Sequence, residues 1–177
     1  MRLLDDLPLW KSYMVDKKQS VLALYPNRYG VAYALFGSPT ELIEYGIGNI
    51  QPVSNRISLK KIKQYIYYYK PDIIITRNLN DLKNRKSKRI AKLIDAICRE
   101  AREQKLGVHT YTRTEIKSVF EQFKALSKYQ ISQKIIEWFA ELKAYEFPLR
   151  KRWMAENYNA GVFDAVSLAV VYWYLEQ

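Results

Sequence analysis

The sequence predicts an α/β domain with a five-stranded mixed sheet, in which a three-stranded antiparallel meander is joined by two parallel strands and flanked by helices. Three observations predict this fold class. Short apolar runs joined by tight turns come first, two further apolar runs alternate with helical patterns, and the remainder is helical. A length of 177 residues suits one domain. We therefore assign 1–177 to a single domain, with a leader at 1–19 and a core at 20–177.

The meander is predicted from three apolar runs whose connections are too short to hold a helix. The runs are residues 21–24, 29–36 and 41–48, and the turn-forming segments between them are 25–28 and 37–39. Strands joined by such short turns pair antiparallel, whereas parallel pairing needs a longer crossover.

Two buried strands and a series of helices are predicted after the meander. The strands are residues 72–76 and 108–112, and the helices are 57–69, a long helix reaching 101, then 115–124, 130–144 and 161–176. The long helix carries one apolar face made of Ile90, Leu93, Ile94, Ile97, Cys98 and Ala101. Strands that alternate with helices are parallel, with right-handed crossovers.

The composition indicates a globular protein with polyanionic partners. The chain holds 29 Lys and Arg against 18 Asp and Glu, which gives a net charge of +11 at pH 7. Cys98 is the sole cysteine and excludes an internal disulfide, and the single His109 gives no support to a zinc site. The start, with Asp5 and Asp6, does not resemble a signal peptide, and the apolar stretch at 162–175 is too short for a bilayer. We expect a cytoplasmic protein that is not embedded in a membrane.

Basic residues are concentrated in two segments that we predict to bind nucleic acid. The first and densest has no acid among Lys83, Arg85, Lys86, Lys88, Arg89 and Lys92, and the second is Arg150, Lys151 and Arg152 beside Trp153. If the six residues of the first segment all met phosphates, log affinity would fall against log salt with a slope of about −5. The alternative is a solvated helix face.

The order of several short motifs is similar to that of one known family. They are the segment from Leu24 through Tyr25-Pro26 to Gly30-Val31-Ala32, the strand before Arg77, the Ser127-Lys128 pair before a helix, Arg150-Lys151-Arg152-Trp153, Glu156-Asn157, and Phe163-Asp164-Ala165. Together they resemble the RuvC-like branch of the RNase H-like superfamily, over most of the chain from about residue 21. The resemblance implies an RNase H-like fold in which acids from separate elements hold two divalent metals.

The acids that this resemblance implies are mostly replaced. Tyr25 stands where the family has an aspartate after the first strand, Arg77 stands at the end of the fourth strand, and Asn157 stands in place of an aspartate. Asp164 survives, with Glu156 as a second carboxylate. Metal-assisted cleavage needs several converging carboxylates. We therefore predict a vestigial site with no intact catalytic residues and no metal or other cofactor.

Asp164 poses a separate question because it lies in a helix that is apolar on nearly every side. A buried carboxylate without a metal or partner is costly, so one hypothesis pairs Asp164 with the Arg77 guanidinium. The alternative places Asp164 in solvent near a helix N-terminus, where the helix dipole favours an anion.

Three functions remain open from the sequence. The first is a pseudo-nuclease that binds DNA or RNA without efficient cleavage. The second is an active nuclease or resolvase, dependent on Mg²⁺ or Mn²⁺, whose acids have moved to Asp72, Asp81, Glu156 and Asp164. The third is a structural or partner-binding scaffold. The aromatic C-terminal helix is also consistent with a homodimer.

Overall fold

The computed structural model describes residues 18–82 and 87–176, and within them the chain forms a five-stranded sheet flanked by helices. The strands are β1 (Val21–Asn27), β2 (Gly30–Ser38), β3 (Glu41–Asn49), β4 (Ile73–Asn78) and β5 (Gly107–Thr112). The helices are α1 (Asn55–Tyr69), α2 (Lys88–Glu103), α3 (Arg113–Glu121), α4 (Lys128–Trp138), a 3-10 helix (Ala140–Tyr145) and α5 (Ala160–Leu175). The predicted leader, 1–19, lies almost entirely outside these residues.

The sheet confirms the predicted fold class. Its strand order is β3-β2-β1-β4-β5. β1, β2 and β3 pair antiparallel, while β4 pairs parallel with both β1 and β5. The parallel strands are separated in sequence by α1 and α2, which supply the long crossovers that parallel pairing requires. The carboxyl ends of β1, β4 and β5 therefore meet at one edge of the sheet, which we call the carboxyl edge.

The first predicted turn is wrong in position. β1 continues through Tyr25 and Pro26 to Asn27, and the chain reverses just before Gly30. Pro26 is tolerated because the pairing of β1 with β4 ends at Leu24, so no ladder hydrogen bond is lost on that side. Gly30 has φ +138°, and a Cβ there would lie 2.1 Å from the Gly48 carbonyl oxygen. The longer β1 carries Tyr25 to the carboxyl edge.

Alternating strand residues divide the core between the two faces of the sheet. Val21, Ala23 and Tyr25 face α3, α4 and α5, while Leu22 and Leu24 face α1 and α2. The predicted helix at 130–144 is two elements, because α4 ends at Trp138 and a 3-10 helix follows. α5 is buried along most of its length, which explains its lack of a polar face. Within the described ranges, no helix has the length and hydrophobicity needed to cross a membrane.

Candidate functional site

The carboxyl edge brings Tyr25 and Arg77 into direct contact. Leu24 and Thr76 are neighbours in the parallel register, and the buried Thr76 hydroxyl donates a 2.9 Å hydrogen bond to the Leu24 carbonyl. Tyr25 follows Leu24 on β1 and Arg77 follows Thr76 on β4, so these two residues are also neighbours. The Arg77 guanidinium lies 4.2 Å from the centroid of the Tyr25 ring, and its Nη1 donates to the Pro26 carbonyl at 2.8 Å. A cation–π contact thus joins the two strand ends where the family resemblance implies acids.

Asp164 lies beside these strand ends on the second turn of α5. It is only 6% exposed, so the solvent-facing alternative is wrong. Its Oδ2 is 3.3 Å from Lys128 Nζ, and its Oδ1 is 3.9 Å from Arg113 Nη1. Burial raises the pKa of Asp164 above its ordinary value and outweighs the opposing attraction of Lys128 and Arg113.

The predicted pairing of Asp164 with Arg77 is wrong. Among residues 18–82 and 87–176, the cations within 4 Å of the Asp164 carboxylate are Lys128 and Arg113. The Arg77 guanidinium instead contacts the Tyr25 ring and the Pro26 carbonyl. The underlying expectation still holds, because a carboxylate this deeply buried has gained cationic partners from the chain itself.

Lys128 connects the two carboxylates of the site. Its ammonium contacts Glu156 Oε1 as well as Asp164, and it lies 6.0 Å from the centroid of the Tyr25 ring. Burial alone would lower the pKa of Lys128, but the attraction of Asp164 and Glu156 exceeds that effect and raises it above its ordinary value. The side chain is therefore a fixed positive charge between two acids.

The two unforeseen cations are each the first residue of a helix with a capping box. Arg113 follows the N-cap Thr112, whose hydroxyl accepts from the Glu115 amide, and Lys128 follows Ser127, which is capped in the same way. The N-terminal ends of α3 and α4, which carry the positive end of each helix dipole, therefore both lie near Asp164. The motifs T-x-x-E and S-x-x-Q in the sequence predict these helix starts, but they do not predict which element the first residue contacts.

Tyr25 is a neutral aromatic group in this site. Burial raises the pKa of its phenol, and the Asp164 carboxylate raises it further, against the opposing effect of Arg77. A phenol that stays protonated at neutral pH adds no negative charge to the site.

A cleft of about 200 Å³ opens at this point and contains all the residues predicted for the vestigial site. These are Tyr25, Arg77, Glu156, Asn157 and Asp164, and the cleft is also lined by Asn27, Arg28, Tyr29, Ile90, Lys128 and Gly161. Asn157 is exposed, and its Oδ1 accepts from the Asn159 amide at 2.9 Å. The Tyr29 hydroxyl donates to the Glu156 carbonyl at 3.2 Å, which fixes one wall.

Two acids proposed for the nuclease alternative, Asp72 and Asp81, accept hydrogen bonds from other segments of the chain. Asp72 precedes β4 at the opposite edge of the sheet, where its Oδ2 accepts from the Ser20 amide at 2.9 Å. Asp81 accepts from the amide and hydroxyl of Thr114 at 3.0 and 2.9 Å and so holds the start of α3. In residues 18–82 and 87–176, no three His, Cys, Asp or Glu side chains are grouped as metal ligands would be.

The basic segments differ in how much of each the structure describes. Lys83, Arg85 and Lys86 lie outside the described residues. Lys88 and Lys92 are exposed at the start of α2, on the same edge as the cleft. Arg89 is half-buried, and it donates to the Asn27 carbonyl at 3.0 Å and to Asn55 Oδ1 at 3.3 Å. Arg89 therefore also fixes α2 against the β1–β2 turn.

The second basic segment is fully on the surface. Arg150, Lys151 and Arg152 are exposed, and Lys151 Nζ lies 5.5 Å from the centroid of the Trp153 ring, which is 80% exposed. This segment belongs to the irregular chain between the 3-10 helix and α5, which also supplies Glu156 to the cleft.

Comparison with known proteins gives no match to a protein-family model and none to a curated protein sequence. Solved structures do match. Thermus thermophilus RuvC in complex with Holliday junction substrate has 12% sequence identity and a TM-score of 0.61, covering 89% of this chain and 95% of that one. The yeast mitochondrial Holliday junction resolvase has 10% identity and a TM-score of 0.61, covering 88% and 78%. The fowlpox virus resolvase bound to Holliday junction DNA has 17% identity and a TM-score of 0.53, covering 88% and 99%.

These similarities show the fold. The chain shares the RNase H-like fold of these structures, and its five-stranded mixed sheet is of the kind that the sequence predicted. Because the fold by itself does not define an activity, function has to be argued from the site.

Proposed function

We propose that the chain is a RuvC-like domain that binds nucleic acid and does not cleave it efficiently. The observation that carries this proposal is the Lys128 ammonium between the carboxylates of Glu156 and Asp164. Two of the solved structures with the same fold are complexes with Holliday junctions, which supports nucleic acid as the ligand class.

The donor set of the cleft does not suit a pair of divalent cations. Mg²⁺ prefers near-octahedral oxygen ligands and is usually held through carboxylates. Here the two carboxylates already share an ammonium, and Arg113 adds a second cation next to Asp164. A metal ion would have to displace Lys128 and overcome repulsion from fixed positive charges. We infer that side-chain cations have taken the position of the metals.

The same cations favour a polyanion at this edge of the sheet. Arg28, Arg77 and Lys128 line the cleft against Glu156 and Asp164, so its formal charge is positive by one. The exposed Lys88 and Lys92 extend this field along α2. The whole chain carries +11, which attracts nucleic acid from a distance.

The test measures binding and cleavage on the same substrates. Labelled single strands, duplexes and four-way junctions are titrated with the protein at several salt concentrations, and are then incubated with Mg²⁺ or Mn²⁺. We expect binding that weakens linearly in log salt and no strand scission above background. Scission that requires the metal and disappears in the Asp164→Asn variant would show an active nuclease. Scission that persists in that variant would come from a contaminant.

Absence of binding on all three substrates at low salt would instead favour the scaffold function. Magnesium titration calorimetry gives an independent check, because the proposal expects no tight metal uptake by the folded protein.

A further inference from the structure

A second pocket, of about 300 Å³, adjoins the cleft on the side of the irregular segment. It is formed by the first residues of α4 and by the chain from 147 to 160. Lys128, Glu156 and Asn157 line both the pocket and the cleft, so the two form one continuous surface. We propose that this pocket receives an unpaired nucleobase of a strand whose backbone lies in the cleft. This inference rests on the nucleic-acid binding proposed above.

The walls of the pocket suit a flat aromatic ligand. Phe147 is buried, and its ring centroid lies 6.3 Å from that of Tyr129 and 5.7 Å from that of Phe163, so this wall is held by the core. At the mouth, Leu149 is 67% exposed and Met154 is 44% exposed. Both side chains line the pocket, so its rim offers apolar surface to a ligand. A base that is removed from its stack exposes a flat face that such walls can cover.

The polar groups of the pocket suit the rest of a nucleotide. Arg150 lines the pocket, and Lys151 and Arg152 follow it on the surface. Within the described ranges, none of these three residues has an ion-pair partner. Asn157 uses its Oδ1 on the Asn159 amide, which leaves its Nδ2 to donate to a base edge. An apolar slot with a cationic rim and an amide donor therefore matches a base and its phosphate.

Continuity with the cleft favours a nucleobase over an acidic peptide or a lipid headgroup. A strand that follows the cations of the cleft passes Lys128 and Glu156, and the pocket opens at those same residues. Duplex DNA has no unpaired base to offer. Bulged, branched or single-stranded nucleic acid does, so the inference names that substrate class.

The experiment compares three labelled duplexes: one fully paired, one with a single bulged 2-aminopurine, and one with an abasic bulge of the same backbone. The wild-type protein is expected to bind the bulged base about tenfold more tightly than the abasic bulge. The 2-aminopurine fluorescence should also change on binding, because the base moves from the stack into the pocket.

A pocket-filling variant and a matched control test the location. Ala155 is exposed and lines the pocket, so Ala155→Leu should remove both the fluorescence change and the preference for the bulged base while the affinity for paired duplex stays constant. Ala140 is also exposed, but it lies beside Glu141, whose carbonyl accepts from Tyr45 of the edge strand β3. Ala140→Leu should leave all three measurements unchanged.

The outcomes separate the two proposals. Equal affinity for the bulged base and the abasic bulge, or full discrimination in Ala155→Leu, overturns the pocket and leaves nucleic-acid binding intact. If the wild-type protein binds none of these duplexes at low salt, the pocket proposal fails. The binding assay on single strands and four-way junctions then decides separately whether the chain binds nucleic acid.

Discussion

The opposite ends of β4 are each close to an aspartate, and the two carboxylates are stabilised in different ways. Asp72, at the amino edge of the sheet, is exposed and accepts one hydrogen bond from the Ser20 amide. Asp164, at the carboxyl edge, is buried and lies between Lys128 and Arg113. Water solvates the first carboxylate. The second depends on charges from distant parts of the chain, so only the second defines a site.

The largest effect should come from removing the cation at the carboxyl edge. In Lys128→Met, Asp164 stays buried, and among the described residues Arg113 is then the one cation within 4 Å of its carboxylate. We expect a loss of about 2–3 kcal/mol in the free energy of unfolding at neutral pH. This range lies below that for a fully buried pair because the Lys128 side chain is 36% exposed. Urea unfolding followed by circular dichroism measures the loss.

Two comparisons make this first prediction specific. The loss should shrink as the pH falls, because Asp164 without Lys128 takes up a proton more readily and no longer needs the cation. Lys134→Met, on the same helix, removes a surface pair with Glu137 and should cost less than about 0.5 kcal/mol. Equal losses in the two variants, with no dependence on pH, would show that the pairing at the carboxyl edge has no special weight.

The next largest effect should be on nucleic-acid affinity, which we expect to depend on cations at the carboxyl edge and not on those at the amino edge. Lys88→Glu/Lys92→Glu reverses two exposed charges beside the cleft, so affinity for a four-way junction should fall about tenfold or more. The slope of log affinity against log salt should become shallower by about 2. Lys105 is exposed after the C-terminal end of α2, at the amino edge, and Lys105→Glu should change affinity little. Fluorescence anisotropy across a salt series measures both quantities.

A comparable loss of affinity in Lys105→Glu would mean that net charge, rather than position on the carboxyl edge, controls binding. The two edges would then contribute equally to nucleic-acid affinity, although they would still differ in how each stabilises its aspartate.

The body of the sheet could be predicted from the sequence, whereas the contacts at its carboxyl edge could not. Alternation along residues such as Leu22 and Ala23, and the helical spacing of the long helix, follow from local hydrophobic periodicity. Lys128 and Arg113 approach Asp164 from 36 and 51 positions away in the sequence. Contacts over such separations leave no periodic signal. The expectation of a cation at Asp164 was therefore correct in kind and wrong in the residue.

The turn between β1 and β2 shows a second limit of local patterns. A proline followed by an asparagine predicts a turn, yet Pro26 lies inside β1 because its missing N–H falls beyond the end of the β4 ladder. Strand pairing therefore decides where the turn falls, and the local sequence predicts only its approximate place.

A smaller effect is expected from neutralising the buried aspartate. In Asp164→Asn, Lys128 keeps Glu156 as its partner, so we expect stability at pH 7 between unchanged and about 1 kcal/mol higher. Burial raises the pKa of Asp164 in the folded state. Its stabilising contribution is therefore full below the unfolded pKa and is lost as the pH rises through the folded pKa. The free energy of unfolding of the variant should therefore increase relative to that of the wild type as the pH rises from about 4 to 7.

Unfolding free energies at several pH values test this sign. If the variant instead becomes less stable relative to the wild type between acid and neutral pH, the attraction of Lys128 and Arg113 outweighs burial. The pKa of Asp164 would then be lowered.

The smallest effect is expected at the amino edge. Asp72→Asn keeps an oxygen that can accept from the Ser20 amide and removes only an exposed charge, so stability should change by less than about 0.5 kcal/mol. Asp72→Ala removes the acceptor and should cost about 1 kcal/mol, because the Ser20 amide then has to bond with water. Both variants should leave junction affinity unchanged. A large loss of stability in Asp72→Asn would show that the negative charge itself is required at this edge, and the two aspartates would then differ in degree rather than in kind.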